Sequence, residues 1–175
     1  MSISMAVKSD IKRLTQGLNR LERKAIPAAA NSALNKAGRK VKTVITRDLS
    51  KEMGLKQKDI KNEIKVKKSN FRTLSVFISA TGRRLNIIRY KAKQLKKALT
   101  AKPWGKVRKW KTGFIGNKGR TAFLRLPNKK IKALSGPGIA SEFVRDRAIR
   151  LMKTIGGDEF LKQFSRELKR RLGHL

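Results

Sequence analysis

The run EIKVKKSNFRTLSVFISA, residues 63–80, changes the period of the chain from that of a helix to that of a strand. Ile64 and Val66 alternate with Lys65 and Lys67, and Leu74, Val76, Ile78 and Ala80 alternate with Ser75, Phe77 and Ser79. A two-residue period places the apolar side chains on one face. Two strands are therefore expected, each with one face on a core, joined by the turn-prone Ser69 and Asn70.

Upstream of this run the period is helical. Val7, Ile11, Leu14, Leu18, Leu21 and Ala25 step by four and three, and the stripe resumes after Pro27 as Ala30, Leu34, Ala37, Val41, Val44 and Leu49. Ala28, Ala29 and Ala33 lie beside it and permit close helix packing. Pro27 has no N–H to donate, so a kink or a restart is expected there, with Pro27 near the first turn of a second helix. Two core helices are one reading of this stripe, and an intermolecular coiled-coil seam is the other. Met53, Gly54 and Leu55 end the pattern, and residues 56–61 suit one short helical turn.

Downstream, residues 81–97 read as strand or extended loop. Further strands are expected around residues 106–110 and 121–126, separated by a loop of about ten residues containing Gly113, Gly116, Asn117 and Gly119. Ser135, Gly136, Pro137 and Gly138 are expected to stop the sheet region. Helical spacing then returns with Phe143 or Val144, Ala148, Leu151, Met152 and Ile155. Gly156 and Gly157 are expected to end that helix, and Asp158 to cap a second one that buries Phe160 or Leu161, Phe164, Leu168 and Leu172. The fold class is α+β, with long N-terminal helices, a mostly antiparallel sheet in the middle and two C-terminal helices. The length of 175 residues fits a single domain, 1–175, with a helical arm over 1–50, a basic β-rich core over 62–135 and the C-terminal helices over 139–173.

The charge is unequal in both amount and place. The chain carries 46 Lys and Arg against 11 Asp and Glu, a net charge of +35. Between Glu63 and Glu142 lie 78 residues with 22 Lys and Arg and no acid. Such a field opposes folding by self-repulsion unless a polyanion or an acidic partner receives it. Arg83, Arg84, Arg89, Lys91, Lys93, Lys96 and Lys97 form one basic run; Lys102, Lys106, Arg108, Lys109 and Lys111 form a second around Trp104 and Trp110. Contacts of this kind to phosphates are salt-sensitive and largely blind to sequence, so these twelve residues are the candidate nucleic-acid face. The tryptophans suit stacking on single-stranded bases, or, more in keeping with their size, anchoring a core or subunit interface.

Catalytic chemistry is not indicated. His174 is the single histidine and lies next to the C-terminal residue; six carboxylates fall before residue 64 and five after residue 141. Asp59, Glu63 and Lys65 have the residue types of a metal nuclease, but Glu-x-Lys is common in a lysine-rich chain and a solvated helix-to-strand junction accounts for it. No catalytic residue, metal ligand or cofactor site is expected. The absence of cysteine leaves no disulfide framework or thiolate site. No long apolar run suits a secretory signal or a membrane span, and the spread of charge over strands as well as helices argues against a membrane-surface helix.

The order of five segments adds to this reading. AAANSALNKA from Ala28, WGKVRKW from Trp104, GFIG from Gly113, TAFLR from Thr121 and IKALSGPGI from Ile131 together resemble the phage minor tail protein Z family, the tail completion proteins, over roughly residues 20–145. The resemblance implies a non-enzymatic virion component at the head-proximal end of a tail, assembled in the host cytoplasm. Its implied partners are other tail and head-tail connector proteins, further copies in a ring with a hexamer favoured, and double-stranded DNA in the lumen. Trp104, Trp110, Phe114 and Pro137 are then candidates for subunit or partner contacts. The alternative is a ribosomal or nucleoid-type protein that binds nucleic acid without reading sequence.

Overall fold

The structure, a computed structural model, describes residues 2–6 and 20–172, and divides them between two compact units. The stripe from Val7 to Leu18 and His174 lie outside the described residues.

Helix α1 (Arg20–Met53) carries the long apolar stripe. It does not restart at Pro27, which lies inside the helix. A proline there removes one hydrogen bond and crowds the preceding turn, a cost of roughly 3 kcal/mol. The burial of Ala29, Ala30, Ala33 and Leu34 immediately after it offsets that cost. Farther along, Val41, Ile45, Leu49 and Met53 are buried at a spacing of four, so Ile45 takes the core position that the sequence suggested for Val44. Gly54 ends the helix in a left-handed conformation (φ +69°), its N–H donating to Ser50 O at 3.1 Å. The short helix α2 (Gln57–Glu63) follows.

The first unit takes in residues 20–45 of α1, a small sheet and the last helix. Strands β1 (Ser2–Ala6), β2 (Ile64–Lys67) and β3 (Ser75–Ala80) lie in the order β1-β3-β2, with β1 antiparallel to β3 from Ser2↔Ser79 to Ala6↔Ser75. The pair β2 and β3 is the one expected from residues 63–80; β1 was not foreseen, although Ser2, Ile3, Ser4 and Met5 alternate. Helix and sheet meet closely: a Cβ on Gly38 would stand 2.7 Å from Val76 Cγ1. Asn35 clamps the chain after β2, receiving Ser69 N at 2.9 Å and donating to Ser69 O at 3.2 Å. Asn70 accepts from the backbone N–H of Arg72 and Thr73 and so forms the turn that the sequence indicated.

Helix α3 (Ile139–Phe143) and helix α4 (Asp146–Leu172) close the chain. The break between them falls near residues 144–145, and α4 runs through Gly156 and Gly157, so Asp158 lies inside a helix and caps nothing. Two interior glycines cost about 1 kcal/mol each against alanine. That is less than what the packing of Ala148, Met152 and Phe160 on one side returns, and Leu161, 63% exposed, is on the other.

In the first unit α4 is tied to α1 through Glu167, which is 5% exposed. Its carboxylate accepts from Lys36 Nζ at 2.6 Å and Arg170 Nη2 at 2.8 Å, with Arg171 Nη2 at 3.6 Å. The Lys36 hydrogen bond first, then that of Arg170, with a lesser contribution from Ser32, hold the carboxyl at about 2 against an ordinary 4.5, while burial opposes them. The folded-state value lies below the unfolded one, so the stabilisation is complete above about pH 4.5 and is lost as pH falls towards 2. Melting temperatures of the wild type and Glu167→Gln are expected to differ at pH 7 and to converge towards pH 2. A gap of constant size across that window would mean the carboxylate charge is not what holds α4.

The second unit, residues 46–63 and 80–143, contains the other strands in three small sheets rather than one. Strand β4 (Arg84–Asn86) leads to a 3₁₀ turn at Ile87–Arg89, and β5 (Lys93–Leu95), β6 (Ala98–Ala101) and β7 (Arg108–Trp110) form an antiparallel sheet. Residues 81–97 are thus strand and extended loop with one 3₁₀ turn. Strands β8 (Gly113–Gly116), β9 (Thr121–Arg125) and β10 (Ile131–Ala133) form a second antiparallel sheet in the order β10-β9-β8.

Four residues of the ten-residue loop expected between β7 and β9 form the strand β8, with tight turns on either side of it. Asn117 and Lys118 both take positive φ (+49° and +51°), the sense that matches strand twist in a hairpin. Strand β11 (Ser135–Gly138) pairs antiparallel with β4 instead of stopping the sheet. Its register shifts between Ser135 and Gly138, and the sheet has two strands, so Pro137 sits at an irregular edge where no N–H is needed.

Candidate nucleic-acid interface

All twelve basic residues of the two runs are exposed and belong to the second unit. Strand register sorts them. In the sheet β5-β6-β7, Lys93 stands opposite Thr100 and Thr100 opposite Lys109, while Leu95 stands opposite Ala98. Side chains two residues apart share a face, so Lys93, Leu95, Ala98, Thr100, Lys109 and Lys111 lie together. Lys96 and Lys97 form the two-residue connection between β5 and β6 at the end of that face. A shallow cleft of about 610 Å³ runs here, lined by Leu95, Lys96, Lys97, Ala98, Lys109 and Lys111.

Five lysines thus converge on one surface, and among the described residues none of them has an ion pair. The opposite face carries Gln94, Leu99, Ala101 and Trp110, and there Leu99 and Ala101 are buried. The two sides of the sheet thus differ: Leu99 and Ala101 are buried on one, which also carries the exposed Gln94 and Arg108, and lysines crowd around the buried Ala98 on the other.

The remaining seven are arranged differently. Arg89 is held by Asp59, Nη1 to Oδ1 at 2.7 Å. Among the described residues no group of three or more His, Cys, Asp or Glu is placed to hold a metal ion. Arg83 precedes and Arg84 begins β4, in the two-stranded sheet with β11. Arg108 is on the core side of β7, its guanidinium 5.9 Å from the centre of the Trp104 ring. Lys91 takes a left-handed φ of +54°, and Lys102 donates its backbone N–H to Tyr90 O at 2.8 Å. Lys106 follows the 3₁₀ turn Pro103–Gly105 and donates its N–H to Pro103 O.

The residues suggested for subunit contacts are half-buried. Trp104 has φ +52°, a conformation that a side chain of its size rarely adopts, and its Nε1 donates to Glu142 Oε1 at 3.0 Å. Glu142 itself is 2% exposed, so the ring is fixed from inside rather than presented as a free stacking platform. Trp110 packs behind the lysine face opposite Leu99. Phe114 stacks on Phe123 with centroids 5.6 Å apart, and Arg125 covers it at 5.4 Å. Pro137 offers its carbonyl to the Tyr90 hydroxyl at 2.6 Å. Burial, aided by the charge of Glu142, pushes the Tyr90 phenol well above its ordinary value, so it remains a neutral donor.

Asn86, which no sequence motif marks, joins these elements. Its side chain accepts Ala122 N at 2.9 Å and donates to Ala122 O at 3.1 Å, as a neighbouring strand would, and also accepts Ile88 N at 3.0 Å. No local pattern marks an asparagine for that role, because its partner lies 36 residues away.

Comparison with known proteins adds one match. The model of the family described as prophage minor tail protein Z matches residues 10–174. No curated protein and no solved structure matches. Among the described residues no helix is long and apolar enough to cross a membrane.

Proposed function

The chain belongs to the prophage minor tail protein Z family, a family of phage tail structural proteins, and from that premise we propose that it completes the head-proximal end of the tail as a closed ring of identical copies whose lysine face is turned to the DNA path. The observation that carries the DNA-facing part is the alignment of Lys93, Lys109 and Lys111 on one side of β5-β6-β7, beside Lys96 and Lys97. Cyclic symmetry repeats one such face around a lumen. A ring of point charges on flexible stems holds a phosphate backbone at any sequence, which is what a passage for a whole genome requires. Family membership supports a structural role and neighbours among the tail proteins; no step of catalysis is needed for it.

An image of the assembled particle at residue resolution tests the reading. The expected density is a closed ring, six copies being favoured, at the end of the tail that meets the head, with Lys93, Lys109 and Lys111 facing the axis. A single copy, a position at the distal tip, or the lysine face packed on protein overturns it.

A further inference from the structure

The sheet β8-β9-β10 presents a second surface of different chemistry. Its register sets Phe114 opposite Phe123 and Phe123 opposite Ala133, with Arg125 opposite Ile131. These residues share a face, since Phe114 and Gly116 alternate with Gly113 and Ile115, and Phe123 and Arg125 alternate with Ala122 and Leu124. The other face is buried at its centre, where Ala122 is fully buried and a Cβ on Gly113 would stand 2.8 Å from Leu99 Cβ, and carries the exposed Lys132 at its edge. On the outer face Ile131 is 57% exposed and the two stacked rings are half-buried. Cations close the patch at both ends, Lys118 and Arg120 at the β8–β9 turn and Lys129 and Lys130 at the β9–β10 turn, all exposed.

We propose that this face docks a neighbouring tail protein whose contact surface is an apolar patch rimmed by carboxylates. The inference rests on the tail reading above for the setting of the partner and goes beyond it in naming the surface. Three observations choose that occupant. The patch is mainly apolar, so it gains from burial, and the charged side chains at its two ends are all cationic, so the complementary edge is acidic. A second copy of this chain meeting it face to face would set the same four cations against their equivalents, which opposes a homotypic contact. Stacking of nucleic-acid bases is disfavoured as well, because Arg125 already covers Phe114 and because Ile131 and Ala133 have no π-face.

Tails purified from the parent phage grown without this chain are the probe, and the full-length protein is titrated onto them. Ile131→Glu is expected to weaken binding at least tenfold, through faster dissociation, with circular dichroism and duplex affinity unchanged. Lys118→Gln combined with Lys129→Gln and Lys130→Gln is expected to slow association and to reduce its salt dependence. Unchanged affinity for tails in Ile131→Glu overturns the proposal. So does a loss of single-stranded DNA binding in Ile131→Glu without loss of tail binding, or a wild-type dimer that Ile131→Glu dissociates. Failure of the wild type to bind such tails at all removes the tail-joining reading, and this one with it.

Discussion

Changing Lys93, Lys96, Lys97, Lys109 and Lys111 together to Gln is expected to flatten the salt dependence of duplex binding by about four to five in the slope of log K against log salt. Each lysine that neutralises a phosphate releases counterions worth about 0.9 in that slope on duplex DNA. The five lysines lie on one surface, and among the described residues none is paired with a carboxylate. A change of that size corresponds to a difference of several hundredfold in how affinity falls between about 50 and 200 mM salt. The control removes the same charge from the other sheet: Lys118, Arg120, Lys129, Lys130 and Lys132, all exposed, changed to Gln. It leaves the net charge of the two variants equal, so a bulk effect moves both alike. The expected result is a slope altered by one or less in the control. Equal flattening in both variants would mean that DNA meets the molecule diffusely and that the lysine face has no special part.

What the sequence could and could not convey follows from the range of each signal. Alternation over residues 64–67 and 74–80 is local, and it located β2 and β3. The glycines misled because the same residue serves two purposes. Gly113 and Gly116 suggest a loop and Gly136 a stop to the sheet, yet each lies in a strand where an added Cβ would crowd a neighbour, Leu99, Phe123 and Tyr90 respectively. Composition cannot tell a glycine needed for dihedral freedom from one needed for close approach. Gly156 and Gly157 misled in the same way, as a helix held by distant packing overrode a local propensity. For the candidate site, the basic runs were plain in the sequence, but which lysines align was not. That depends on Thr100 standing opposite both Lys93 and Lys109, a register fixed across the sheet.

The second large effect concerns what holds the lysine face in place. Tyr90 is fully buried, its ring lies against Gly136, its hydroxyl donates to Pro137 O, and its own carbonyl receives Lys102 N. It therefore ties both ends of the segment containing β5 and β6 to β11. Tyr90→Ala empties a full-sized aromatic site, for which about 3–5 kcal/mol is expected, and Tyr90→Phe, which loses one hydrogen bond, about 1 kcal/mol. Gly136→Ala acts from the other side: its Cβ would stand 2.6 Å from Tyr90 Cε2, and the strain is expected to cost about 1–3 kcal/mol. The decisive measurement is the double variant. If ring and glycine are partners, the methyl of Gly136→Ala enters the space left by Tyr90→Ala, and the pair costs less than the two single changes added together, by about 1 kcal/mol or more. Both tryptophans lie in the second unit with these residues, so the fluorescence of denaturant unfolding follows that unit. Additive costs in the cycle, or a Gly136→Ala protein as stable as the wild type, would show that the ring does not depend on the missing side chain. The lysine face would then owe its position to Asn86 and the Trp104–Glu142 hydrogen bond instead.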